Sequence, residues 1–187
     1  MKVYTRKGDD GTTGLLFGGR TSKDAPGPTA YGTTDEAVAA LGLARAELEQ
    51  GSELFDLLVR LQRELFVVGA ELATAPANRS KLKAGSTLVT TAMVEALEPI
   101  IDDVAERFDM PTEFVLPGET RVAAALDLAR TVVRRAERES VTAATEGWLA
   151  ADSAVVPYLN RLADLCWTLA RWQEGAFRAA RPERKAT

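Results

Sequence analysis

An all-α fold, a five-helix up-and-down bundle behind an irregular glycine- and threonine-rich N-terminal arm, is what this sequence predicts. Three observations lead there. Apolar residues recur every three or four positions through five long stretches. Each stretch ends at a glycine or a proline: Gly51, Pro76, Pro111, Gly147 and Gly175. No segment of useful length alternates apolar with polar residues, as a half-buried strand would. The 187 residues, 46% of them hydrophobic, suffice for one domain over 1–187, with a core that needs no disulfide or metal staples.

The arm, residues 1–30, comes first. It holds Gly8, Gly11, Gly14, Gly18, Gly19 and Gly27, six of the fourteen glycines. Lys2, Arg6, Lys7, Arg20 and Lys23 against Asp9, Asp10 and Asp24 give it a charge of +2, which leaves −6 on the remaining residues. The bundle is expected over 31–175. Thr33 to Glu36 reads as a capping box opening a helix to about Gln50. Leu54, Leu57, Leu58, Leu61, Leu65, Val68 and Leu72 mark a second helix over 53–74. After a polar loop, Thr87 or Thr91 caps a third, which runs to Phe108 and stops at Met110-Pro111. A strand-like piece, Glu113 to Leu116, and the turn Pro117-Gly118 lead to the longest helix, 119–146. The last helix spans about Ser153 to Glu174, and residues 176–187 are expected to be a frayed basic tail.

Composition excludes several chemistries. The chain has no histidine, which removes His general bases, Ser-His and Cys-His nucleophile pairs, haem ligation through His and every His-containing zinc or di-iron site. The lone cysteine, Cys166, rules out an internal disulfide framework and lies on an apolar helix face, where it reads as structural. A formal charge of −4 is a poor match for nucleic acid. Met1 to Arg20 lacks the charged-then-apolar order of a secretory leader, and no apolar run reaches the ~18 residues of a membrane span. The expectation is a cytoplasmic protein with no membrane partner.

What remains is Arg, Lys, Asp, Glu, Thr and backbone amides. On the helix 119–146, Val122, Ala125, Leu126, Ala129, Val132, Val133 and Ala136 share one arc, with Arg130, Arg134 and Glu137 along its edge. Arg135 and Arg138 lie further toward the polar side. Spacing leaves two readings open: a solvated face with local ion pairs, or a polar cleft whose guanidinium forks grip phosphate. On the last helix Asn160, Asp164 and Arg171 form a second polar stripe, either an inter-helix tie or a nucleotide contact through Asn160. In the arm, Thr5-Arg6-Lys7-Gly8-Asp9-Asp10-Gly11-Thr12-Thr13-Gly14 and Lys23 could cradle a polyphosphate, though no Walker A pattern is present. Asp35 reads as first-turn capping support or as a partner for a distant arginine. Phe114 reads most simply as core packing, as do Trp148, Trp167 and Trp172.

Together these blocks resemble the PduO-type ATP:corrinoid adenosyltransferases. The resemblance covers about residues 3–174 and rests on four ordered motifs: Tyr4 to Gly14; Ala30-Tyr31-Gly32-Thr33-Thr34-Asp35-Glu36; Phe114 to Gly118 leading into Ala129 to Arg138; and Tyr158 to Asp164. It implies transfer of the 5′-deoxyadenosyl group of ATP to the cobalt of reduced cobalamin, with release of triphosphate. It implies a homotrimer with active sites between subunits, served by a cobalamin reductase or a B12-dependent enzyme. By position, Thr5, Arg6, Lys7, Gly8, Thr13, Gly14 and Lys23 would hold the phosphates. Arg134, Arg135, Ala136, Glu137, Arg138 and Asn160 would complete the ATP and Mg²⁺ site, with Glu137 toward the metal. Asp35 and Arg130 would bridge subunits near the corrinoid, and Phe114 would press on its lower face. Such a reaction needs no protein base, because Co(I) is itself the nucleophile, in keeping with the missing histidines.

The chain departs from the usual family pattern at four places. Gly27-Pro28 stands where an arginine is common, and Ala37-Val38 replaces Leu-Asn. Glu119 follows Pro117-Gly118 in place of glycine, and Asp127 replaces a histidine. Both acids are expected to add negative charge near the site. These departures motivate a second reading, a non-catalytic paralogue that binds ATP or corrinoid as a carrier or sensor.

Overall fold

The computed structural model describes residues 4–181. The arm forms a short antiparallel hairpin, β1 (Thr12–Gly14) and β2 (Arg20–Ser22), in the register Thr13 opposite Thr21. Its tip turns through Phe17, Gly18 and Gly19, all at positive φ, and Leu16 N–H donates to Ala73 O at 2.9 Å, fastening the hairpin to the bundle. Then come α1 (Pro26–Ala46), α2 (Glu53–Leu72), a 3₁₀ turn at Pro76–Lys81, α3 (Thr91–Glu95) and α4 (Glu98–Ala105). A two-residue strand β3 (Val115–Leu116), the long α5 (Arg121–Thr145), α6 (Val155–Glu174) and β4 (Arg178–Ala179) complete the chain. No helix among the described residues is long and apolar enough to cross a membrane.

The core lies between α1, α2, α5 and α6, with α3 and α4 closing it against α6. Leu58, Leu61, Leu65 and Leu72 of α2 meet Leu126 and Val133 of α5 and Leu159, Leu162, Leu165 and Leu169 of α6 within one cluster, all fully buried. Each such side chain contributes about 1.5–3 kcal/mol by leaving water. Helix α1 is different. It packs against both α2 and α5, and its buried positions are mostly small: Ala30, Ala37, Ala40 and Ala44. Ala37 therefore fills a packed seam.

Three boundaries differ from the sequence reading. Helix α1 opens at Pro26 and not at Thr33, because proline suits the first turn, where its missing N–H has no partner to lose. Thr33 and Thr34 consequently cap nothing; their hydroxyls donate to Thr29 O and Ala30 O one turn back. The expected third helix is broken in two. Thr90, not Thr87 or Thr91, caps α3 through Met93 N–H, and Pro99 in the first turn of α4 cannot continue a helix through Glu95. The stretch after Gly175 is not frayed at its start, since Arg178–Ala179 pairs with Val115–Leu116 and Ala180 N–H donates to Phe114 O at 2.7 Å. The rest of that tail, 182–187, lies outside the described residues, as do residues 1–3.

The departure at Gly27 has a packing cause. A Cβ there would lie 2.1 Å from the Trp148 ring, whose indole N–H donates to Leu72 O at 2.6 Å. Only glycine lets α1 approach α2 and the end of α5 so closely.

Candidate active site

The arm gathers its donors without burying them. Lys23 Nζ donates to Gly8 O at 2.8 Å, and Gly11 N–H to Gly8 O at 3.2 Å, closing a loop over residues 8–11. Asp10 accepts from Thr12 N–H at 2.9 Å and from its hydroxyl at 2.8 Å. The backbone donation from Thr12 holds the Asp10 carboxyl below the usual range. Arg20 spans the hairpin to Thr12 Oγ1 at 3.0 Å. Thr5 Oγ1 accepts from Lys7 N–H at 3.4 Å. Arg6 has φ +60° and Gly11 φ +81°, so the segment curls where most residues resist it. Thr5, Arg6, Lys7, Gly14 and Lys23 are exposed, while Gly8 and Thr13 are half-buried.

On α5, Arg134, Arg135 and Arg138 are exposed and Arg130 and Glu137 half-buried, as an arc edge should be. Asn160 Nδ2 donates to Glu137 Oε1 at 2.9 Å, which joins α6 to α5. That bond spends the Asn160 amide on orienting a carboxylate whose second oxygen has no hydrogen bond among the described residues. Arg138 Nη1 donates to Arg134 O at 3.0 Å. Arg135 is ion-paired to Glu36 on α1. Arg134 has no ion pair among the described residues. Ala136 is fully buried, so its side chain serves the core and does not reach a ligand.

A cleft of about 560 Å³ opens beside this seam, lined by Pro111 to Val115, Pro117, Asp127, Arg130, Trp167 and Arg171. Phe114 stands on its rim, 87% exposed. Core packing, the simplest sequence reading of that residue, does not hold. The strand pair β3–β4 pins the backbone and leaves the ring outside. Arg130 Nε lies 3.3 Å from Asp127 Oδ1, and Asp127, 3% exposed, also pairs with Arg171. Arg171 is 4% exposed, so of the stripe expected with Asn160 and Asp164 it is the buried inter-helix tie and not a ligand contact. Glu119 is paired to Arg178 at 2.9 Å. The expected negative charge from Glu119 and Asp127 is thus met within the chain by arginines.

Asp35 lies well inside α1, not in a first turn, so capping support is ruled out. It lines a shallow apolar groove of about 380 Å³ with Leu16, Tyr31, Val38, Leu65 and Phe66. This groove shares no residue with the Phe114 cleft. Among the described residues, Asp35 and Arg130 form no ion pair with each other, and no hydrogen bond joins the arm to Arg134, Glu137, Arg138 or Asn160.

The inter-helix tie read for Arg171 is present, since it pairs with Asp127 of α5. Sequence reasoning missed two buried polar groups behind the site. Glu174, 2.8 Å from Arg171 Nε, is one. Glu71 is another. Its carboxylate accepts from Val89 N–H at 2.8 Å and Ser153 Oγ at 2.6 Å, and burial pushes its pKa up. Cys166 is fully buried with its thiol pushed up to about 12 by desolvation, an inert packing residue as expected.

The family model for cobalamin adenosyltransferases matches residues 3–173. A corrinoid adenosyltransferase of Citrobacter freundii is 38% identical over 173 residues, covering 92% of this chain and 95% of that protein. The corrinoid adenosyltransferase PduO of Salmonella typhimurium is 39% identical over 175 residues, and the chain spans 50% of its length. A variant PduO-type ATP:corrinoid adenosyltransferase from Lactobacillus reuteri, solved with cobalamin and ATP, superposes with a TM-score of 0.82 at 31% identity, over 92% of this chain and 91% of that one.

Proposed function

Because the chain belongs to the cobalamin adenosyltransferase family, we propose that it moves the 5′-deoxyadenosyl group of ATP onto the cobalt of a reduced corrinoid. It is an ATP-dependent transferase whose substrates are ATP and cobalamin. The Co(I) electron pair attacks C5′ of the ribose. That pair becomes the Co–C5′ bond, the bond from C5′ to the triphosphate oxygen breaks, and inorganic triphosphate departs with the electrons of the broken bond. No proton is abstracted, so a chain without histidine loses nothing. The protein's tasks are to align cobalt with C5′ and to stabilise charge on the departing triphosphate.

The observation that carries the assignment of residues is the pair of half-sites. Thr5, Arg6, Lys7, Gly8, Thr13, Gly14 and Lys23 form the phosphate-binding arm. Arg134, Arg138 and Glu137, the last oriented by Asn160, form the other wall, with Arg135 braced by Glu36. Among the described residues no hydrogen bond or ion pair joins the two walls within one chain, and none joins Asp35 to Arg130. A homotrimer in which the arm and Asp35 groove of one subunit face the α5 seam and Phe114 cleft of the next brings all of them together. Among the described residues there is no cluster of three or more His, Cys, Asp or Glu suited to a metal. A single carboxylate plus phosphate oxygens is what Mg²⁺ ordinarily takes, so Glu137 fits as its one protein ligand, and the ion's contribution is to offset phosphate charge. Phe114, exposed and rigidly based, would exclude an axial ligand from the corrin face. A Co(II) centre that loses its axial donor accepts an electron more readily.

Carrier or sensor behaviour is not favoured, because the departures leave the site intact: Gly27 and Ala37 serve packing, and Glu119 and Asp127 are paired. The test is anaerobic. Wild-type protein with MgATP and chemically reduced cobalamin is expected to consume the Co(I) absorbance and yield light-sensitive adenosylcobalamin. Phe114→Ala is expected to keep most turnover from chemically supplied Co(I). It is expected to lose more than tenfold when Co(II) must be reduced on the protein, roughly the effect of one transition-state contact. Tight binding of both substrates with no product would instead support the carrier.

A further inference from the structure

Behind the rim residue Phe114, the cleft floor is ionic. Asp127 of α5 turns one carboxylate oxygen to the buried Arg171 of α6 and the other to Arg130 Nε, 3.3 Å away. Arg171 Nε in turn lies 2.8 Å from Glu174, an ion pair without hydrogen-bond alignment, and neither Glu174 oxygen has a hydrogen-bond partner among the described residues. The Trp167 ring sits 5.7 Å from the Arg171 guanidinium and closes the side of the same cleft. Four charges are therefore strung from the C-terminal end of α6 to the mouth of the cleft, and only the last of them, Arg130, is appreciably exposed.

Stability alone does not explain such a network. A buried ion pair gains little over an apolar pair of the same volume, since desolvation offsets the attraction. What it does supply is geometry. An arginine on a surface helix samples many rotamers, whereas Arg130 is tethered from behind by a carboxylate that is itself fixed by Arg171.

We propose that Asp127 is a positioning residue for corrinoid binding: it holds the Arg130 guanidinium at the height from which Arg130 meets the corrinoid side of the site and the neighbouring subunit's carboxylate. The proposal rests on the functional reading above. Asp127 touches no substrate; it acts through Arg130. Arg171 and Glu174 anchor it, and ATP, held by the arm and by Arg134, lies outside its reach.

The test is a comparison of two variants with wild type. Asp127→Asn keeps the side-chain shape and removes the charge. Asp127→Leu combined with Arg171→Met and Glu174→Gln removes all three buried charges at similar volume, which guards against a variant that fails only because Arg171 or Glu174 is left unpaired. Both are expected to keep the wild-type circular dichroism spectrum. Both are expected to raise the KM for cobalamin on the order of tenfold to a hundredfold, the scale of a small misplacement. The KM for ATP is expected to change by less than about twofold. Cobalamin bound as Co(II) should show less of the axially unliganded absorbance spectrum than in wild type. A folded triple variant with wild-type cobalamin KM overturns the proposal. So does an equal loss toward both substrates, which marks a merely structural role. Wild type that forms no adenosylcobalamin at all overturns the functional reading and this proposal together, and that outcome appears without any variant.

Discussion

The arm and the α5–α6 seam carry the candidate site between them, and they are built by opposite physics. The arm is open: Lys23, Arg20 and Asp10 are exposed, and its shape comes from hydrogen bonds to Gly8 O and Thr12 plus left-handed backbone at Arg6 and Gly11. Little apolar surface is removed from water there. The seam is the reverse. Leu126, Val133, Leu162 and Leu169 lock α5 to α6, and the polar groups at its edge inherit their positions from that packing. The difference teaches that one site can combine a rigid wall with an adaptable one. The rigid wall sets where Arg134, Glu137 and Arg130 stand, whereas the shape of the arm rests on hydrogen bonds at the surface.

If that contrast holds, damage to the seam should cost catalysis and damage to the arm should cost nucleotide affinity. The largest effect is expected from Arg134→Ala. Its side chain is exposed and has no ion pair among the described residues, so the melting temperature should stay at the wild-type value. The turnover number should nevertheless fall on the order of 10²–10³-fold, the loss for one donor aimed at a developing charge. Retained turnover would move the rigid wall elsewhere. A smaller effect is expected from Lys23→Ala. Removing one charge-assisted donor, and with it the tie to Gly8 O, should raise the KM for ATP about tenfold and leave kcat and the KM for cobalamin near wild type. A kcat defect as large as that of Arg134→Ala would erase the distinction between the two walls.

The smallest effect concerns Glu71, which ties α2 to the 82–90 loop and to the start of α6, behind the seam. Its pKa is raised in the fold because burial disfavours the charged form. The ionised group thus costs stability at neutral pH, and the cost is relieved as the pH falls through its raised pKa toward the ordinary glutamate range. Glu71→Gln has no such titration. Wild type is therefore expected to gain on Glu71→Gln as the solution is acidified across that window, by no more than about 5 °C in melting temperature. A gap that moves the other way would show that hydrogen bonds from Val89 and Ser153 outweigh desolvation.

Much of this was legible from residue order. The period of Leu54 to Leu72 gave α2, and the arc Val122 to Ala136 gave α5 with Arg130, Arg134 and Glu137 on its edge, because a helix faces its core through a fixed angle per residue. Helix starts were less legible. Thr33 to Glu36 has the letters of a capping box, yet Pro26 seven residues earlier opens the helix. Capping is a local option that an upstream start cancels. Phe114 illustrates the other failure. An aromatic residue beside Val115 and Leu116 reads as core, but the β3–β4 pairing turns it outward.

By itself, then, the sequence determined the helical class, the residue types at the site, the exclusion of histidine chemistry and, through four ordered motifs, the family. These are properties of composition and of near-neighbour spacing, which the chain carries in any conformation. Only tertiary structure decided that Asp127, Arg171 and Glu174 are buried together, that Gly27 makes room for Trp148, and that Asn160 spends its amide on Glu137. Each of those depends on which faces of two distant helices meet. The energy that brings them together is the burial of apolar surface, which is indifferent to the identity of the polar groups carried along with it.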